Sequence, residues 1–249
     1  MGALHPGHLA LVTEAFRHAD AVAASIFINP RQFGKREDLN RYPRNEAEDC
    51  AMLAKAGVTL VYAPAPETMY PPGFTTTVTL AGPAKVGLED KFRPGFLPGV
   101  ATVVSKLLAV SEADFAMFGE KDYQQLKVVK QLARDLNMAA EIIAVPTVRE
   151  PDGLALSSRN AYLASRQRAA APQLYSTLIE AARAIGSGEP VSRAMAAARR
   201  KLAKAGFRVD YVACRNAETL AAVKSPSEPM RLLAAAWLGK TRLIDNVPV

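Results

Sequence analysis

The stretch that decides the fold reads MGALHPGHLALV, residues 1–12. It places His5 and His8 on either side of a Pro-Gly step, directly before an apolar run that favours a helix. Pro6 suits the first turn of a helix, where its missing N–H needs no partner, and Gly7 lets a ligand approach the backbone. The N–H groups at a helix start attract phosphate, and two imidazoles beside them can donate hydrogen bonds to a phosphoryl oxygen. The pattern therefore predicts chemistry at a nucleotide phosphate.

A histidine pair with this spacing also occurs among solvated surface residues and in metal sites. The third histidine of the chain is His18, and the two cysteines, Cys50 and Cys214, are far apart in the sequence. This is not the spacing of a metal centre, and we expect no metal-ligating residues.

The composition indicates a globular protein with a substantial core. The chain has 249 residues, of which 49% are hydrophobic, and a net charge of +7. Its longest apolar runs are too short to cross a bilayer, and no basic region precedes an apolar core as in a secretory signal. Two distant cysteines give no disulfide framework, so we expect a cytoplasmic protein that does not bind membranes. The basic residues concentrate in 193–204 at helical spacing, which favours a solvated helix face over a nucleic-acid site.

Alternating strands and helices in residues 1–147 predict an α/β fold with a Rossmann-like, doubly wound, mostly parallel sheet. The predicted strands cover 21–28, 58–62, 75–80, 114–118 and 141–145, and the predicted helices cover 9–19, 46–56, 100–110 and a segment that ends at 137. Residues 82–99, rich in glycine, proline and charge, are a loop or lid candidate.

The sequence pattern changes after residue 147, and residues 148–249 are predicted to form a smaller α+β domain. Its helices are expected over 165–185 and 191–205, and its strands over 210–214, 231–237 and 241–244. The last two strands are expected to form a hairpin that turns at Gly239-Lys240.

Three polar segments fall at or just after predicted strand ends, namely 29–34, 119–125 and 148–160. Ligands bind outside the carboxyl ends of the strands in such sheets, so this convergence predicts one site. Each segment also has an ordinary interpretation. Lys121 and Asp122 suit phosphate and ribose or adenine but also a plain strand-to-helix turn, while residues 157–159 suit a triphosphate but also a helix cap. Gln32 and Gln125 could bind the oxygens of a small polar acid or simply be solvated.

Four segments, 1–12, 27–34, 118–126 and 145–163, closely resemble the pantothenate synthetases, which are pantoate–β-alanine ligases. This family belongs to the superfamily of H-I-G-H nucleotidyltransferases. The similarity covers nearly the whole chain, and the combination of FGEKDYQQL with VPTVRE and SSRN is highly specific for the family.

The resemblance implies a two-step reaction. ATP and (R)-pantoate form pantoyl adenylate and pyrophosphate, and β-alanine then attacks the acyl carbon to give pantothenate and AMP. It also implies that Mg²⁺ bridges the phosphates, that the protein is a homodimer, and that residues 148–249 form a lid over a nucleotide- and pantoate-binding domain of residues 1–147.

The family motifs imply a role for each matching residue. His5, His8 and Lys121 would be catalytic, Gln32 and Gln125 would bind pantoate, and Met1 would contact both ligands through its backbone. Gly119 and Asp122 would bind adenosine, Val148 and Leu156 would line the adenine, and residues 157–159 would form a mobile triphosphate clamp. The full ATP-binding set is Met1, His5, Gly7, His8, Phe118, Gly119, Glu120, Lys121, Asp122, Val148, Leu156, Ser157, Ser158 and Arg159.

The sequence departs from the family pattern at three places. The family has a strand ending in Pro-Thr before the position of Met1, and this strand is absent from the sequence. Phe96 replaces the usual histidine, and Leu156 replaces the usual methionine. Two alternatives stay open. One is an adenylyltransferase that attaches AMP to a phosphorylated acceptor and does not need Gln32 and Gln125, and the other is a non-catalytic remnant that lost its first strand and binds nucleotide poorly or not at all.

Overall fold

The computed structural model describes residues 2–34, 37 and 39–249. The helices are α1 Pro6–Ala15, α2 Glu46–Lys55, α3 Pro66–Met69, α4 Glu89–Phe92, α5 Phe96–Ser111, α6 Tyr123–Asp135, α7 Ser165–Ala170, α8 Gln173–Gly186 and α9 Val191–Lys204. The strands are β1 Ala23–Ser25, β2 Leu60–Tyr62, β3 Phe115–Gly119, β4 Glu141–Val145, β5 Arg208–Asn216, β6 Met230–Leu238 and β7 Thr241–Pro248. Of the helices described, none combines the length and apolar composition needed to span a bilayer.

The chain divides into two compact units. The first contains Met1–Glu120 and Gln124–Pro146, and the second contains Lys121–Tyr123 and Thr147–Val249. The short segment Lys121–Tyr123 therefore belongs to the second unit, although the chain on both sides of it belongs to the first.

The first unit is built from parallel strand pairs joined by helices. Strand β1 pairs with β2, and β3 pairs with β4, both in parallel, so each pair needs a crossover, which contains α2 or α6. Helix α1 packs against β3 and β4. A core cluster joins Val12 of α1 and Leu53 of α2 to the apolar residues Val22, Ala24 and Ile26 in and beside β1. This arrangement confirms the predicted α/β class.

The second unit contains an antiparallel sheet in the order β5-β6-β7. Strands β6 and β7 form the predicted hairpin, with Leu238 opposite Thr241. Helices α8 and α9 pack against each other and against this sheet, and one apolar core fills the space between them. The α+β prediction for this part of the chain is confirmed.

Residues 75–80 form no strand, although their alternating threonines predict one. Side chains from other parts of the chain bind the backbone of this segment instead. Arg31 Nη1 donates to the Thr76 carbonyl at 2.9 Å, and the Val78 N–H donates to Thr102 Oγ1 at 3.0 Å. The predicted helix over 165–185 is also interrupted, because Pro172 cannot donate the N–H that a continuous helix requires, and α7 and α8 are separate.

The loop or lid candidate, residues 82–99, includes α4 and the start of α5. The buried side chain of Gln124 holds this segment in place through three hydrogen bonds. Gln124 Nε2 donates to the Pro83 carbonyl at 2.9 Å and to Asp90 Oδ1 at 3.1 Å, and its Oε1 accepts from the Glu89 N–H at 2.8 Å. Gln124 is thus a structural residue, whereas its neighbour Gln125 is the one for which a ligand contact is predicted.

Candidate active site

The two predicted histidines cap the start of α1 reciprocally. His5 is the N-cap residue, and its Nδ1 accepts a hydrogen bond from the Gly7 N–H at 3.1 Å. His8 Nδ1 accepts from the His5 N–H at 3.3 Å, and the ring centroids are 4.0 Å apart. This is the arrangement of a capping box, with imidazole nitrogens in place of the usual hydroxyl and carboxylate oxygens.

These hydrogen bonds fix the chemistry of both rings. A backbone N–H can only donate, so each Nδ1 must be an acceptor, and a neutral ring then has its proton on Nε2. His5 and His8 therefore both present an Nε2–H donor at the edge of the ring opposite the capping nitrogen. Two such donors at a helix start suit a negatively charged oxygen.

Asp49 of α2 holds the segment that leads into His5. Its side chain is buried, and its two oxygens accept from the Ala3 N–H at 2.8 Å and the Leu4 N–H at 2.7 Å. Ala3 has a φ of 50°, which is uncommon for a residue other than glycine, and the carboxylate stabilises this bend. Asp49 is not among the site residues predicted from the sequence. Its signal was an acid four residues before the buried Leu53, on the buried face of a predicted helix.

Gln32 lies in the short 3-10 helix Pro30–Gln32, after β1. Its Oε1 accepts from Asn29 Nδ2 at 2.8 Å, and its backbone carbonyl accepts from Arg93 Nη2 at 3.2 Å. Neither Asn29 nor Arg93 was singled out from the sequence. The Arg93 guanidinium lies 3.7 Å from the ring centroid of Phe96, so the residue that replaces the family histidine is a stacking surface for an arginine.

The carboxyl end of β3 brings three predicted ATP contacts together. Phe118 and Gly119 are the last residues of the strand, and Glu120 begins the 3-10 helix Glu120–Asp122. At Gly119, an added Cβ would meet no described atom within 4 Å. A ligand can therefore approach the backbone closely at this position.

Lys121 is held by the sheet of the second unit. Asn246 Nδ2, on β7, donates to the Lys121 carbonyl at 3.0 Å, and Asn246 Oδ1 accepts from Arg231 Nε at 2.7 Å. The Arg231 guanidinium lies 4.3 Å from the ring centroid of Tyr123, whose hydroxyl donates to the Ala217 carbonyl at 2.9 Å. These contacts explain why residues 121–123 cluster with the second unit.

The residues predicted to line the adenine, Val148 and Leu156, and those of the predicted clamp, 157–159, lie close together in the sequence of the second unit. The Leu156 N–H donates to the Val148 carbonyl at 3.0 Å, which closes a short hairpin. Ser157 caps the 3-10 helix Ser158–Tyr162, and its Oγ accepts from the Arg159 N–H at 3.3 Å. The capping role considered for this segment is therefore present.

The predicted site residues fall into both units. The first contains His5, Gly7, His8, Gln32, Phe118, Gly119, Glu120 and Gln125, and the second contains Lys121, Asp122, Val148, Leu156, Ser157, Ser158 and Arg159. Within the second, Lys121 Nζ lies 3.6 Å from Asp122 Oδ2. Gln125 is half-buried in the first turn of α6.

Met1 lies outside the described residues, so its predicted contacts stay a prediction. The part of the chain that the structure describes has no group of three or more His, Cys, Asp or Glu placed to hold a metal ion.

Comparison with known proteins gives a consistent result. The family model described as Pantoate-beta-alanine ligase matches residues 1–248. The pantothenate synthetase of Rhodopseudomonas palustris (strain BisA53) is 53% identical over 250 residues, which cover 100% of this chain and 88% of the relative. The solved pantothenate synthetase of Thermus thermophilus has a TM-score of 0.95 at 47% identity, covering 99% of this chain and 90% of that one. The ligase of Francisella tularensis, solved in complex with β-γ ATP and β-alanine, has a TM-score of 0.83 at 33% identity, covering 100% and 87%.

Proposed function

Because the chain belongs to the pantoate–β-alanine ligase family, we propose how its own residues carry out the ATP-dependent joining of pantoate to β-alanine. A carboxylate oxygen of (R)-pantoate attacks the α-phosphorus of ATP and expels pyrophosphate, which gives pantoyl adenylate. The amine of β-alanine then attacks the acyl carbon, the bond from this carbon to the AMP oxygen breaks, and the nitrogen loses a proton. The products are pantothenate and AMP.

The reciprocal capping of His5 and His8 is the observation that supports this proposal most strongly. Displacement at phosphorus needs little covalent help from the protein, so catalysis depends on positioning and on stabilising negative charge. The two Nε2–H groups donate to phosphate oxygens of ATP, and their bonds strengthen as charge develops during the displacement. Since the same rings cap α1, the helix fixes both donors before the nucleotide binds.

The remaining ATP contacts have distinct tasks in the proposal. Lys121 neutralises phosphate charge, and the guanidinium of Arg159, with the hydroxyls of Ser157 and Ser158, binds the triphosphate oxygens. Gly119 and Asp122 bind the adenosine, with Phe118 and Glu120 beside them, while Gly7 leaves room under the nucleotide. Val148 and Leu156 line the adenine.

Gln32 and Gln125 bind pantoate in this proposal, together with the backbone of Met1. Magnesium would bind the phosphate oxygens of ATP, the ligands that it prefers, and would neutralise part of their charge. The homodimer, the cytoplasmic location, the lid role of residues 148–249 and the lack of nucleic-acid and membrane partners stay predictions.

Product analysis by mass spectrometry tests the reaction. The chain is incubated with ATP, Mg²⁺ and (R)-pantoate, with and without β-alanine. We expect pyrophosphate and pantoyl adenylate without β-alanine, and pantothenate with AMP only when β-alanine is present. Formation of ADP and phosphate would contradict the adenylate route. A dinucleotide formed from a phosphorylated acceptor would instead support the adenylyltransferase.

A further inference from the structure

The buried amide of Asn29 makes four hydrogen bonds at the end of β1. Its Oδ1 accepts from the Arg31 N–H at 3.2 Å and from the Tyr70 hydroxyl at 2.8 Å. Its Nδ2 donates to the Gly99 carbonyl at 3.1 Å and to Gln32 Oε1 at 2.8 Å. The residue is only 3% exposed, so these partners replace the water that would otherwise bind the amide.

Two of these partners allow only one orientation of the Asn29 side-chain amide. The Arg31 N–H can only donate and therefore requires an oxygen, while the Gly99 carbonyl can only accept and therefore requires the NH₂ group. Exchanging the oxygen and nitrogen of Asn29 would bring donor against donor and acceptor against acceptor. Gly99 lets this contact form because a Cβ at that position would overlap the Arg31 carbonyl.

The fixed amide of Asn29 in turn fixes the amide of Gln32. Because Asn29 Nδ2 is a donor, the Gln32 atom beside it must be the oxygen, and the NH₂ group forms the other end of the side chain. Arg93, stacked on Phe96, also holds the Gln32 backbone carbonyl. Both the main chain and the side chain of Gln32 are thus oriented before any substrate binds.

We propose that Asn29 and Tyr70 are positioning residues that make Gln32 a hydrogen-bond donor toward pantoate, so that it selects an oxygen acceptor on this substrate. The inference rests on the proposed pantoate-binding role of Gln32. It adds a direction to that role: Gln32 recognises a carboxylate or hydroxyl oxygen through its NH₂ group. Asn29 and Tyr70 act through Gln32.

Tyr70 supplies the second hydrogen bond to Asn29 Oδ1. Burial raises the pKa of Tyr70, against the opposing effects of the Arg31 charge and the Asn29 hydrogen bond. The hydroxyl therefore stays protonated at neutral pH and remains a donor. Replacing Tyr70 with phenylalanine removes this hydrogen bond and preserves the ring, which stacks beneath the Arg31 guanidinium.

A double-mutant cycle on pantoate-dependent pyrophosphate release tests the proposal with the full-length chain. Tyr70→Phe should raise the KM for pantoate about five-fold, the effect of one neutral hydrogen bond, and leave the KM for ATP within about two-fold. Gln32→Met, which has no amide, should raise the pantoate KM further. In the Gln32→Met background, Tyr70→Phe should not raise the pantoate KM further, because the Gln32 amide through which Tyr70 acts is absent.

The controls separate the possible outcomes. Tyr62→Phe, the same change on β2, should leave both KM values unchanged. An undiminished effect of Tyr70→Phe in the Gln32→Met background, or an equal rise in the KM for ATP, would overturn the proposal. An unchanged pantoate KM in Tyr70→Phe would do the same, whereas failure of the unmodified chain to release pyrophosphate with pantoate would contradict the proposed function itself.

Discussion

At the scale of single residues, His5 and His8 each combine the capping role that the structure shows with the phosphate-binding role that we propose. Nδ1 of each ring accepts from a backbone N–H at the start of α1, and the proton of the neutral ring is left on Nε2. The two tasks use different nitrogen atoms. A substitution that keeps an acceptor at the position of Nδ1 and leaves no donor at the position of Nε2 can therefore separate them.

His5→Asn is such a substitution. The Asn oxygen occupies the position of Nδ1, and asparagine is among the best N-cap residues, so we expect the free energy of unfolding to change by less than about 0.5 kcal/mol. The Asn NH₂ group is one bond too short to reach the position of Nε2, so the proposed donor toward phosphate is lost. Pyrophosphate release should then fall about 100-fold, as when one charge-stabilising donor is removed elsewhere. Denaturant unfolding and single-turnover kinetics measure the two effects. Near-normal release from a stably folded His5→Asn variant would remove His5 from the catalytic set.

At the scale of elements, α2 and β7 each hold a site segment of their own unit in place. Asp49 of α2 binds the two N–H groups before the histidine motif, and Asn246 of β7 binds the carbonyl of Lys121. Both side chains are buried, and neither follows from the family motifs quoted for the chain.

Asp49→Asn tests the first of these supports. An amide can accept with only one atom, so its NH₂ group would face the N–H of Ala3 or Leu4 and leave it unpaired. We expect a loss of about 1–3 kcal/mol in the free energy of unfolding, typical of a buried unsatisfied donor, together with slower adenylate formation. Glu46→Gln, an exposed change on the same helix, is the matched control. Equal stability of the two variants would show that Asp49 does not hold the bend at Ala3.

Asn246→Asp tests the second support. The aspartate can still accept from Arg231 Nε but cannot donate to the Lys121 carbonyl, so the change acts mainly on the position of Lys121. We expect kcat for pyrophosphate release to fall about ten-fold, the effect of misplacing one charged contact, while the KM for pantoate stays the same. Asn137→Asp, exposed after α6, provides the comparison. A rise in pantoate KM with normal kcat would assign Asn246 a different role.

The elements that the sequence predicted well are those with strong local signals. Strand β4 has the predicted bounds because an apolar run ends at Pro146, and α2 ends at Lys55, shortly before Gly57, whose φ is 87°. The strand expected over 75–80 was wrong because partners distant in the sequence, Arg31 and Thr102, bind its backbone. Local alternation cannot reveal contacts of this kind.

The candidate site was predictable only where a residue contacts the ligand in the family pattern. His5 and Gln32 belong to recognisable motifs, whereas Tyr70, Asp49 and Asn246 are separated by tens of residues from the groups they hold. Asn29 lies close to Gln32 in the sequence, but its own orientation is set by the distant Gly99 and Tyr70. Their roles depend on tertiary contacts, which no periodic pattern in the sequence reveals. Asn29 and Asp49 did leave weak signals, as a polar residue at a strand end and an acid on a buried helix face.

At the scale of the whole molecule, a functional ligase must bind ATP in its folded state. A ligand that binds only the native state stabilises it by mass action, by about 2.7 kcal/mol at a concentration one hundred times its Kd. We therefore expect saturating ATP with Mg²⁺ to raise the melting temperature of the chain, and His5→Asn to show a smaller rise. Thermal melting followed by circular dichroism measures both. An unchanged melting temperature at millimolar ATP would favour the non-catalytic remnant.

The central claim is that pantoate attacks the α-phosphorus of ATP and is activated as an adenylate. Pantoate labelled with ¹⁸O in its carboxylate tests this directly, because the oxygen that attacks phosphorus stays with AMP when β-alanine displaces it. Mass spectrometry of the products should show one ¹⁸O in AMP and the other in the amide carbonyl of pantothenate. Unlabelled AMP alongside labelled pantothenate, or label in inorganic phosphate, would contradict the adenylate mechanism.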